Sequence, residues 1–116
     1  MESFPRCGEI YLVQIPNKPK DGKDRPALIV SLDVRNRLAD DVIAIPLSTS
    51  LREAPTHVLI KKGIGGLYKD SMAKCEQITT LDKSLLIRGP FAGRVPQEIL
   101  KEVFKAILNA LGVSHS

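Results

Sequence analysis

Asp24-Arg25-Pro26-Ala27-Leu28-Ile29-Val30-Ser31 is the stretch from which the fold can be read. It is apolar from Ala27 to Val30, short, and β-branched toward its end, which suits a buried strand better than a helix. Pro26 has no N–H to give to a sheet ladder and fits the first strand position. The residue before a proline avoids the helical region, so Arg25 is held extended at the mouth of the strand. One guanidinium on a rigid strand entrance is a candidate anion site. The competing reading is an exposed arginine in a surface ion pair with Asp21 or Asp24.

Working outward, Glu9 to Ile15 reads as a first strand with two partly apolar faces. Residues Pro16 to Lys23 form a loop, with two prolines, a glycine and the three lysines Lys18, Lys20 and Lys23. Asp33 to Asp40 fits one short helical turn. Val42-Ile43-Ala44-Ile45-Pro46-Leu47 is a second apolar strand that ends in the hydroxyl cluster Ser48-Thr49-Ser50, and His57 to Ile60 is a third. Lys61 to Gly66 is a basic, glycine-rich loop. Asp70 to Ile78 reads as one further strand, Leu81 to Leu85 as a turn or short helix, and Gly89 to Gly93 as loop or strand. After Pro96, a residue tolerated at a helix start, Ile99, Leu100, Val103, Phe104, Ile107, Leu108 and Leu111 recur at helical spacing, and Gly112 supplies the stop. Several short strands and one amphipathic C-terminal helix predict a mainly β (α+β) protein: a small, mostly antiparallel barrel or curled sheet with the helix packed on it.

At 116 residues the chain is long enough for one domain with one core. No apolar stretch approaches the roughly 18 residues of a membrane span. The N-terminus, Met1 to Arg6, has no apolar signal core, so a cytoplasmic protein without membrane contact is expected. Cys7 and Cys75 lack metal-ligand spacing, so two free thiols and no metal are expected. A formal net charge of +4 permits an anionic partner such as nucleic acid without requiring one.

Four groups of residues are candidates for chemistry beside Arg25. The hydroxyls of Ser48 and Thr49 at a strand end either close a turn or hold a phosphate oxygen. On a strand through Lys74-Cys75-Glu76, Lys74 and Glu76 share a face and Cys75 points the other way, which gives a surface ion pair or an acid/base and cation pair. The glycine-rich loop at Lys61 lacks the phosphate-loop pattern and can touch a polyanion backbone only unspecifically. His57 and His115 show no partner in the sequence. With five Tyr and Phe residues and no Trp, base stacking would rest on Phe4, Tyr11 or Tyr68.

Taken in order, Gly8-Glu9-Ile10, the Arg25-to-Ser31 strand, Ile45-Pro46-Leu47-Ser48-Thr49-Ser50 and the block Gly66 to Lys83 resemble the MazF/PemK family of toxin endoribonucleases of type II toxin-antitoxin systems. Gly93-Arg94-Val95 followed by the amphipathic helix fits as well. The resemblance covers about residues 8–112 and treats residues 1–116 as a single domain. It implies an SH3-like, CcdB-like small barrel with a C-terminal helix. It also implies a homodimer that cleaves single-stranded RNA without metal or cofactor, and a cognate antitoxin with an acidic disordered tail.

In that family the ribose 2′-OH attacks the adjacent phosphate and leaves a cyclic phosphate and a 5′-OH. The resemblance puts Arg25 on the scissile phosphate, also as a candidate acid, and Ser48 or Thr49 on a phosphate oxygen or the 2′-OH. Glu76 becomes the candidate base and Lys74 an added positive charge. RNA contacts are expected from Lys74, from Lys18, Lys20 and Lys23, from Lys61 and from Tyr68. Two departures stand out. Lys74 occupies a position where one branch of the family has an arginine, and lysine gives no bidentate fork. The loop before Arg25 is shorter than usual, so no base preference carries over. The alternative is a non-catalytic module on the same fold, either a decayed toxin or a gyrase-targeting, CcdB-like one.

Overall fold

A computed structural model of the chain describes residues 3–15 and 24–114. Seven strands are arranged around β3 (Asp41–Ser48). In chain order the others are β1 (Ile10–Val13), β2 (Arg25–Ile29), β4 (His57–Ile60), β5 (Ser71–Lys74), β6 (Thr79–Asp82) and β7 (Leu86–Arg88). The hydrogen-bonded order is β4-β5-β3-β2-β1-β7, with β6 also on β3, and every pairing is antiparallel. Two helices complete the fold, α1 (Asp33–Leu38) and α2 (Gln97–Ala110). The mainly β architecture with a C-terminal helix is as the sequence implies, with a bent sheet whose ends β4 and β7 are not paired to each other among the described residues.

The two faces of the sheet carry separate cores, as the two-residue alternation of strands requires. Ile10, Leu28, Ile45, Leu47, Ile60 and Cys75 are buried on one face, and α2 closes it with Leu100, Val103 and Ala106. The helical stripe is narrower than its apolar residues suggest: Phe104 is 42% exposed and Leu111 lies past the helix end. On the opposite face Val13, Ala27, Ile29, Val42, Ala44 and Leu81 form a smaller cluster, flanked by Tyr11, Ile15, Leu85 and Leu86.

The expected strand over Asp70 to Ile78 divides in two. β5 stops at Lys74, Cys75–Gln77 makes one 3-10 turn, and β6 resumes at Thr79. Leu81, expected in a turn, is a buried β6 residue, and β7 is an added three-residue edge strand. Local pattern did not mark β7 because Ile87 and Arg88 are both exposed. α1 forms where expected, yet Val34 and Leu38 face outward. Polar bonds anchor it instead: buried Asn36 bonds Ser31, and Arg35 Nη2 donates to Asp41 Oδ1 at 2.6 Å. Lys18, Lys20, Lys23 and His115 lie outside the described residues.

Leu28 is fully buried at the centre of the larger core, whereas Leu32 is 68% exposed. Leu28→Ala should therefore cost about 2–5 kcal/mol in urea unfolding, and Leu32→Ala no more than about 0.5 kcal/mol.

Candidate active site

Arg25 is the first residue of β2 and stands opposite Val13 of β1. On its other side β2 pairs with β3 in the register Ala27↔Pro46 and Leu28↔Ile45. Continued by two residues, that register sets Arg25 across from Ser48. Alternation puts Arg25, Ala27 and Ile29 on the face of the smaller cluster, with Val42, Ala44, Pro46 and Ser48. Arg25 thus extends a buried apolar row at its solvent end, and its pairing with Val13 of β1 fixes its backbone.

Lys74 and Gln77 arrive from the other edge of β3. Leu47 is opposite Ala73 and Ala44 is opposite Thr79. Over this interval β3 advances three residues while its partner advances six, so the 3-10 turn is a three-residue surplus in an otherwise continuous antiparallel edge. Lys74 ends β5, where the register continued from Leu47↔Ala73 sets it across from Pro46, and the turn that follows brings Gln77 to the same cavity. Both line a cavity of about 240 Å3 together with Ile15, Arg25, Pro46, Leu47 and Ser48. Surplus residues of this kind re-aim side chains at functional sites.

Glu76 is turned elsewhere, and the shared face expected for Lys74 and Glu76 is lost because a strand's two-residue period does not continue through the turn. Its Oε1 accepts from Thr56 Oγ1 at 2.8 Å, and its Oε2 pairs with His57 Nε2 at 3.1 Å. Burial raises the Glu76 pKa, but the hydrogen bonds from His57 and Thr56 outweigh it, and the net result is a value below the ordinary 4.5. Cys75 keeps its inward direction. Burial, and then the charge of Glu76, push its thiol up to about 12, so it holds its proton and is no nucleophile at neutral pH.

The remaining candidates are spread over the surface. Thr49 is exposed and does not line the cavity, while Ser48 Oγ accepts from the Ser50 N–H at 3.1 Å. Tyr68 is exposed, with its ring 5.5 Å from that of Phe91 and its hydroxyl accepting from Arg88 Nη2 at 3.3 Å. Lys61 follows the end of β4 remote from Lys74, since His57 pairs with Lys74 and Ile60 with Ser71. Two of the glycines after it, Gly65 and Gly66, serve packing: a Cβ on Gly65, at φ +61°, would come within 2.8 Å of Ile10 Cδ1 and 2.9 Å of Val95 Cγ1. No cluster of three or more His, Cys, Asp or Glu suited to a metal occurs among the described residues. Sequence reasoning passed over Gln77 as a cavity residue and His57 as a partner of Glu76. The first needed the surplus turn and the second the β4–β5 register.

Residues 6–111 match the family model described as PemK-like, MazF-like toxin of type II toxin-antitoxin system. The chain belongs to this family. A MazF endoribonuclease of Staphylococcus saprophyticus is 34% identical over 114 residues, spanning 93% of this chain and 92% of the relative. A second MazF endoribonuclease, of Staphylococcus epidermidis, is 37% identical over 87 residues, 70% of this chain and 71% of the relative. Among solved structures, a mycobacterial endoribonuclease in complex with its cognate antitoxin superposes with a TM-score of 0.79 at 29% identity, covering 97% of this chain and 99% of that one. In this MazF-like chain the cavity between β1, β2, β3 and the Cys75–Gln77 turn gathers two cationic side chains, a hydroxyl and an amide. That set can bind an anion and neutralise charge developing on it.

The lowered Glu76 pKa has a stability consequence with a definite sign. A carboxyl more acidic folded than unfolded contributes stability that is complete above its unfolded value and lost as pH falls through its folded value. The difference in urea midpoint between wild type and Glu76→Gln should therefore be largest at neutral pH and close as pH drops below 4.5. A constant difference down to strong acid would contradict it.

Proposed function

We propose that this protein is the toxin of a type II toxin-antitoxin pair and cleaves single-stranded RNA by metal-independent transphosphorylation in the Arg25 cavity. The observation that carries the reading is the convergence of Arg25, Ser48 and Lys74 on one 240 Å3 cavity in a chain of the MazF-like family. In the reaction the 2′-oxygen forms a bond to phosphorus and loses its proton, and the P–O5′ bond breaks as O5′ gains one. The products are a cyclic phosphate and a 5′-OH. Between them lies a phosphorane with extra negative charge.

The Arg25 guanidinium offers paired donors to two non-bridging oxygens, with its backbone fixed in advance by β1. Lys74 adds a point charge from the opposite wall. Ser48, whose oxygen already accepts from Ser50, can direct its hydroxyl hydrogen to a phosphate oxygen. Gln77 brings an amide to the same cavity, suited to a phosphate oxygen or a base edge. A homodimer and an antitoxin with an acidic tail complete the proposal; support comes from the mycobacterial relative solved with its cognate antitoxin and from the net charge of +4.

Incubation of the purified protein with a long single-stranded RNA in EDTA should yield fragments with cyclic phosphate and 5′-OH ends. Arg25→Ala should lower the rate by about 10²–10³-fold with an unchanged thermal melt, and Ser48→Ala by a smaller factor. A folded wild-type protein that cuts nothing across a broad RNA pool would overturn the proposal.

A further inference from the structure

We infer that Glu76 is a positioning residue, clamped by Thr56 and His57 so that the Cys75–Gln77 turn holds Gln77 in the Arg25 cavity beside Lys74. Its consequence for cleavage rests on the function proposed above. The clamp itself rests on geometry.

Glu76 lies in sequence between Lys74, which ends β5, and Gln77, the last residue of the turn; both line the cavity, yet Glu76 does not. Both of its oxygens are engaged by the segment that leads into β4, Oε1 by Thr56 and Oε2 by His57. The same segment grips the turn through its backbone, because the Cys75 N–H donates to Thr56 O at 2.9 Å. The segment is tied in turn to itself: His57 N–H donates to Ala54 O at 3.0 Å, and His57 Nδ1 lies 2.7 Å from Arg52 O. Residues 52–57 and the surplus turn therefore form one hydrogen-bonded unit. The Glu76 bonds add a side-chain tie to that backbone bond and fix the turn from which Gln77 enters the cavity.

The histidine makes the clamp directional. Its side chain is only 8% exposed and faces two acceptors, the Arg52 carbonyl and the Glu76 carboxylate. One ring nitrogen thus meets the carbonyl and the other the carboxylate. Other charged groups toward the ring are Lys74 on the paired strand, Glu53 in the groove below, and Glu102 and Lys105 on α2. These comprise two acids and two bases, which leaves Glu76 as the directional partner. A general base, by contrast, needs its oxygen within hydrogen-bond reach of the 2′-OH, and it is weakened by the low pKa that the clamp confers.

The test is single-turnover RNA cleavage between about pH 5 and 9, with amide hydrogen exchange read at Cys75 and Ile78. The proteins are wild type, Glu76→Gln, Thr56→Val, His57→Phe and the His57→Phe/Glu76→Gln double variant. The clamp predicts that each single variant loses on the order of tenfold in rate, that the double variant is no worse than the more affected single, and that both amides exchange faster in all of them. It also predicts that Glu76→Gln retains the acid limb of the wild-type pH profile. Abolition of cleavage and of the acid limb by Glu76→Gln alone, with Thr56→Val and His57→Phe like wild type, would make Glu76 the base and overturn the inference. If folded wild type cleaves no RNA, the proposed function fails, and the exchange data alone decide the clamp: unchanged exchange in the variants overturns it.

Discussion

Between Ala44 and Leu47, β3 advances three residues while the strand edge beside it advances six, and the site depends on that mismatch. A continuous β5–β6 strand would place alternate residues on one face and keep Lys74 and Glu76 together. The surplus residues coil into a 3-10 turn instead. That turn buries Cys75, brings Gln77 to the cavity beside Lys74, and releases Glu76 toward Thr56 and His57. One irregularity thus builds a wall of the cavity and the clamp behind it.

The sheet divides its labour by face. α2 covers the larger core, and the opposite face carries a smaller apolar cluster that opens at one end into the Arg25 cavity. This placement makes Arg25 a rigid group: its strand runs directly into the fully buried Ala27, Leu28 and Ile29. A guanidinium mounted in this way needs little reorganisation when charge develops on a bound phosphate, the property that makes electrostatic stabilisation effective.

Much of this was legible in the sequence because it is local. The Pro26-led apolar run fixed β2 and the direction of Arg25. Periodicity found α2, and the apolar run to Leu47 found β3 with Ser48 at its end. Residues whose placement depends on pairing were not legible. Cys75-Glu76-Gln77 carries no turn signal, since its coil is set by the distant register of β3. The role of His57 depends on facing Lys74 across two strands, and β7 is a three-residue edge with two exposed side chains. Lys74 was visible as a cation, but its position on the same cavity as Arg25 comes from the fold.

The central claim is that a phosphodiester sits among Arg25, Ser48 and Lys74. The most direct measurement is a crystal structure of the protein with a short single-stranded RNA whose 2′-hydroxyls are methylated, so that it binds but cannot react. The account predicts a backbone phosphate within hydrogen-bond distance of the Arg25 guanidinium and the Ser48 hydroxyl, with Lys74 on its opposite side and the Glu76 carboxylate still on Thr56 and His57. RNA seated on the Tyr68–Arg88–Phe91 surface or along β4, with the Arg25 cavity holding no phosphate, would contradict it.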